Sequence, residues 1–140
     1  MQTEVIQINN TLGLNILCSG KLKANEFNQV LLQNMDHNNA FISTCSFIVA
    51  DFSDVTEHDL TLDDVTQIAI RTHQEIEESN NLFILTIATK SNTLYNLFST
   101  WKEILSDSKN LQMGVFKGIE RTTQWTEIKV SQSIANNRYL

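Results

Sequence analysis

Ser46-Phe47-Ile48-Val49-Ala50-Asp51-Phe52-Ser53-Asp54-Val55, continuing through Thr56-Glu57-His58-Asp59-Leu60 to Thr61-Leu62-Asp63-Asp64, is the stretch that decides the fold. Phe47 to Ala50 is apolar on both alternating sets, which reads as a strand covered on two faces. The run stops at Asp51, and Thr61 followed three residues later by Asp64 resembles a capping box, with Asp in place of the usual Glu. Strand, polar connection and helix in that order are the repeating unit of α/β sheets, whose binding chemistry sits at the carboxyl ends of the strands. Asp51 to Asp59 is therefore expected to be an exposed loop, and Thr61 the start of a helix.

Working outward, Val65, Ile68, Ala69, Thr72 and Ile76 recur at helical spacing, and Asp63 and Asp64 in the first turn favour the helix dipole. Ser79-Asn80-Asn81 breaks that helix. Leu82 to Ala88 then reads as a central strand buried on both faces. Leu94, Leu97, Phe98, Trp101, Ile104 and Leu105 form the clearest helical stripe, with Ser91 or Asn92 as its cap. Gln112 to Phe116 gives a short strand, and Glu120 to Glu127 a last helix.

On the other side, Val5, Ile6 and Ile8 and the alternating Leu12, Leu14, Ile16 and Cys18 flank Asn9-Asn10 as a hairpin. Phe27, Val30 and Leu31 share a helical face, and the polar cluster Asp36 to Asn39 ends that helix. The order is β-β-α-β-α-β-α-β-α. It predicts an α/β fold with a mostly parallel sheet and an antiparallel N-terminal strand.

With 140 residues and 41% hydrophobic side chains, one domain over 1–140 is expected, its core about 4–130 and a frayed tail over 131–140. Ten Lys plus Arg against 16 Asp plus Glu give a net charge of -6, which disfavours nucleic acid as a partner. Cys18 and Cys45 sit in apolar runs as free buried thiols and suit a reducing interior. No signal peptide precedes the first strand and no run reaches membrane-spanning length, so a cytoplasmic location is expected.

The chain resembles the STAS domain group, the fold of sulfate transporters and anti-sigma-factor antagonists, and more closely its bacterial STAS-like or SEC14-like small proteins. The resemblance covers roughly residues 12–128. It rests on Ser19-Gly20-Lys21-Leu22, Asp51-Phe52-Ser53-Asp54-Val55 followed by Asp59-Leu60-Thr61, Asp63-Asp64-Val65, Tyr95-Asn96-Leu97 with Trp101, and Val115-Phe116 before a helix carrying Trp125. It implies a regulatory module that docks a partner protein. In the antagonists an Asp-Ser-Ser-Gly turn presents a phosphorylatable serine. Here Asp59 matches that aspartate, Leu60 stands where the serine should be, and Leu62 replaces the glycine. The acceptor used by the family's kinase-controlled switch is thus missing, and Thr61 beside it is better explained as a helix cap.

Other chemistry finds little support. The carboxylates Asp51, Asp54, Asp59, Asp63 and Asp64 match no EF-hand spacing, and turn and capping duties explain them better than a magnesium-dependent hydrolase does. His37, His58 and His73 are dispersed, Ser43, Ser46 and Ser53 lack a nucleophile elbow, and Gly13, Gly20, Gly114 and Gly118 make no phosphate loop. No catalytic residue, metal or cofactor is assigned. The partner-binding candidates are Asp51, Ser53, Asp54, Asp59, Thr61 and Asp63. The alternative is a pocket for a small apolar ligand beside the Leu94 to Leu105 helix, with Phe52, Tyr95, Phe98 and Trp101 as its residues. Core packing accounts for the same stripe. Phe41, Phe52, Tyr95 and Trp125, near loops or helix edges, are the candidates for bordering a cavity, and exposed strand edges leave a homodimer open.

Overall fold

In a computed structural model of the protein, which describes residues 2–35, 46–79 and 82–138, the chain opens with the expected hairpin. Asn9 and Asn10 have φ of 51° and 66°, the left-handed pair that a two-residue turn between twisted strands requires and that asparagine reaches at low cost. The turn joins β1 (Gln2–Ile8) antiparallel to β2 (Thr11–Leu22). Then follow α1 (Ala24–Met35), β3 (Phe47–His58), α2 (Leu62–Ser79), β4 (Phe83–Ala88), α3 (Asn92–Ile104), β5 (Leu111–Phe116) and α4 (Ile119–Arg138). The element order matches the one read from the sequence. The cluster Asp36 to Asn39, with Phe41, His37, Ser43 and Cys45, lies outside the described residues.

The strands lie in the order β1-β2-β3-β4-β5 and run parallel from β2 onward. That order never reverses, so successive right-handed crossovers place α1, α2 and α3 on one face. Their apolar stripes meet the Leu14, Ile16, Ile48, Ala50, Leu85 and Ile87 side of the sheet, with Phe27, Val65, Ile68, Leu94, Phe98 and Trp101 at the centre. Helix α4 covers the other face, where Val130 and Trp125 pack on Phe47, Val49 and Ile84. A sheet without a reversal has no switch-point crevice, the feature that makes strand ends into sites in doubly wound folds. Strand β4 is buried at every residue as expected, yet β3 rather than β4 occupies the middle.

Two boundaries differ from expectation. Strands β2 and β3 each run 12 residues, so Asp51 to His58 is strand where a loop was expected. Helix α4 continues to Arg138 where a tail was expected. Its sheet-facing positions include Thr122 and Thr126, which are fully buried and carry no apolar signal. Thr126 Oγ1 donates to the Thr122 carbonyl at 2.7 Å, and its contact of 2.7 Å with Thr86 Oγ1 must therefore use the Thr86 hydrogen. The pair ties α4 to β4 with both hydroxyls satisfied. Among the described residues, no helix is long and apolar enough to cross a membrane.

Candidate functional site

The extended ends of β2 and β3 form a two-stranded ribbon beyond the rest of the sheet. Pairing of β3 with β4 ends at Asp51↔Ala88, whereas its pairing with β2 continues to Leu22↔His58. Register shifts between Leu17 and Ser19 and between Gly20 and Lys21 mark irregularities of the β-bulge kind, which twist a strand pair and re-aim its side chains. At the first of them Asp51 Oδ1 accepts the Ser53 N–H at 2.9 Å, and at the second Gly20 supplies a φ of 71°. Phe52 turns inward to the helix face and Val55 packs against the same core, while Asp54, Thr56 and Glu57 are exposed.

The ribbon leads directly into α2. Asp59 Oδ1 accepts the Ala24 N–H at 2.7 Å, satisfying one of the free donors at the start of α1. Leu60 is buried, as expected of a side chain pinning the connection rather than presenting a modification site. At Thr61 the capping box is complete: its N–H and Oγ1 both reach Asp64 Oδ2 at 2.9 Å, and the Asp64 N–H returns to Thr61 Oγ1 at 3.2 Å. Asp63 is exposed and accepts a side-chain hydrogen bond from Gln67 at 3.2 Å. Replacing Thr61 by alanine is expected to lower stability by about 1 kcal/mol, with serine close to the parent, as read from chemical denaturation.

The six candidates thus fall into two groups. Asp54, Thr61 and Asp63 are exposed along the ribbon and the first turn of α2. Asp51 and Asp59 hold backbone donors, and Ser53 is half-buried with Oγ shielded from solvent and without a partner among the described residues. His58 Nδ1 on the same ribbon is in that state too. Asp51 opens on the α4 face, where with Ile6, Ile8, Asn15 and Glu127 it lines a cleft of about 270 Å³. Asp63 belongs to the opposite face, so the structure does not bring these two carboxylates together. Among the described residues no three His, Cys, Asp or Glu side chains converge as a metal site.

The pocket residues of the alternative reading are mostly core. Phe27, Phe52, Phe98 and Trp101 form a cluster of tilted and edge-on ring contacts with centroids 4.9–6.3 Å apart. Phe52, Phe98 and Trp101 are buried in that packing, and tight aromatic contact is why they line neither cleft described here. Tyr95 is half-buried under Lys117, whose Nζ lies 5.0 Å from the ring centroid and also donates to Asn92 Oδ1 at 2.6 Å. Ser91 rather than Asn92 caps α3, accepting the Leu94 N–H at 3.2 Å.

A groove does lie beside α3, at its carboxyl-terminal end. Leu105, Leu111, Met113 and Trp125 form its apolar lining, Lys102, Glu103 and Lys129 its charged groups, and its volume is about 540 Å³. Of these only Trp125 and the stripe residue Leu105 carry a signal in the sequence. The others come from α3, β5 and α4, and only the packing of three elements makes them neighbours.

No family model matches the chain, and no curated protein matches it. Among solved structures it is similar to an uncharacterized protein of the DUF3478 family with a SpoIIAA-like fold from Shewanella loihica PV-4. The TM-score is 0.52 at 10% identity, covering 89% of this chain and 91% of that one. The fold is therefore SpoIIAA-like, of the STAS type that the motifs suggested. At that identity the likeness establishes architecture alone.

Proposed function

We propose that the protein is a non-enzymatic regulatory module of the cytoplasm that docks a partner protein on the β2–β3 ribbon and the first turn of α2. The observation that carries this reading is the projection of β3 beyond the end of β4, which holds Asp54, Thr56 and Glu57 in solvent on the strand that leads into α2, whose first turn exposes Asp63. Exposed acidic side chains on a rigid paired strand suit a basic partner surface, because the scaffold is ordered before binding and the charges steer the encounter. Asp51, Ser53 and Asp59 serve this surface by shaping it. The capping role of Thr61 and the absence of a hydroxyl at Leu60 argue for docking that does not depend on phosphorylation at this turn.

A photo-crosslinking residue placed at Thr56 is expected to trap one partner in cells of the native host, and the same residue at Ile128 on α4 to trap none. The double charge reversal Asp54→Lys with Asp63→Lys should remove the crosslink while circular dichroism stays unchanged. Equal capture from both positions, or capture indifferent to the reversal, would refute the reading.

A second reading is supported by the groove beside α3: a carrier or sensor of a small apolar ligand. Its volume of about 540 Å³ falls within the range of small-molecule sites, and Leu105, Leu111, Met113 and Trp125 give it an apolar surface among polar and charged neighbours.

A further inference from the structure

We infer that the groove between α3, β5 and α4 binds an amphiphilic organic anion, an apolar chain or ring ending in a carboxylate. The inference rests on the second reading above and names its ligand class. Leu105, Leu111, Met113 and Trp125 give the groove its apolar surface, with Ser99, Ser106 and Gln112 as uncharged polar neighbours. Its charged groups are two ammonium groups, Lys102 and Lys129, and one carboxylate, Glu103, a local excess of positive charge on a chain of net charge -6. Lys129 Nζ lies 5.6 Å from the Trp125 ring centroid, so one cation is already held over the apolar wall by the ring face.

That arrangement selects by charge. An anionic head meets Lys102 and Lys129 while its tail covers Met113 and Trp125, and a cationic head of the same length is repelled by the same pair. The groove is also shaped from beneath: a Cβ built on Gly114 would sit 2.7 Å from the Phe116 ring and 3.0 Å from the Trp125 ring. The bare backbone at Gly114 therefore leaves the room that the Trp125 ring, a wall of the groove, occupies beside β5.

Met113 provides a local reporter, being one of three methionines in the chain. With methyl-labelled methionine, decanoate below its micellar concentration is expected to shift the Met113 resonance saturably and leave the other two in place. Assignment follows from Met113→Leu. Decylammonium should bind at least about tenfold more weakly, and Lys102→Glu with Lys129→Glu should weaken decanoate by about tenfold, since each exposed charge contribution is modest. The wild-type comparison of the two head groups keeps the test decisive even if the double variant does not fold. Equal binding of decanoate, decylammonium and decanol would overturn the anion assignment and leave the apolar-ligand reading in place. If none of the three moves Met113, both fall.

Discussion

Replacing Trp101 by alanine is expected to cost about 3–5 kcal/mol of folding stability, the range for truncating a large buried aromatic. Domains of ordinary stability hold about 5–15 kcal/mol in all, so the variant should sit near the edge of folding. Trp101 has no exposed surface and touches both Phe27 of α1 and Phe98 of α3, with centroids 5.9 and 6.3 Å away. Its loss opens a void where α1 and α3 meet over the sheet, and close-packed neighbours relax into such a void only in part. Trp101→Phe is the informative companion. The Trp101 Nε1 is buried without a partner among the described residues, so phenylalanine removes an unsatisfied donor together with some apolar surface. Urea denaturation should place Trp101→Phe much closer to the parent than Trp101→Ala. A small alanine effect would show that the aromatic cluster is not the centre of the core.

The elements legible in the sequence are those whose burial pattern is also a hydrophobic pattern. Val65, Ile68, Ala69, Thr72 and Ile76 are all buried where the spacing put them, as are Leu94, Phe98, Trp101 and Leu105. The Thr61 to Asp64 capping box is local in sequence and appears as written. The far half of β3 was not legible for two reasons. Its acidic residues are depleted in strands generally, and two register shifts break the period-two alternation that announces a strand. What holds Asp54 to His58 extended is pairing with Ser19 to Leu22, a tertiary fact. The length of α4 was hidden because its last turns, Ser131 to Arg138, are mostly polar and carry no apolar stripe, while within the predicted part Thr122 and Thr126 pack through hydroxyl groups satisfied by Thr86 and by the helix's own carbonyls. The candidate surface was readable as a place but not as a geometry, since Asp51 and Asp63, near in sequence, belong to opposite faces of the sheet. The groove beside α3 could be anticipated only at Leu105 and Trp125.

Raising the pH from 9 to 12 is expected to destabilise the fold through Cys18 by up to about 4 kcal/mol. The thiol is buried and free, and loss of hydration pushes its pKa from 9.0 up to about 12, with the carboxylate of Asp51 acting in the same direction. Below pH 9 the group is neutral in folded and unfolded chains alike, and the stability associated with keeping it neutral is fully present. Above pH 9 the unfolded chain gives up the proton while the folded chain keeps it, so the balance shifts toward unfolding until the folded thiol also ionises near pH 12. Lysine and tyrosine titrate in the same window, which makes the difference between parent and Cys18→Ala the quantity to measure. In a Cys45→Ser background the parent should lose stability more steeply with pH than Cys18→Ala does. The same burial predicts that iodoacetamide at neutral pH modifies Cys18 only as fast as the protein opens, because the thiolate is the reactive species and the folded interior suppresses it. Parallel pH slopes for the two chains, or rapid alkylation of the folded protein, would mean that Cys18 is in contact with water and that the β2–β3 interior is less tightly closed than its packing indicates.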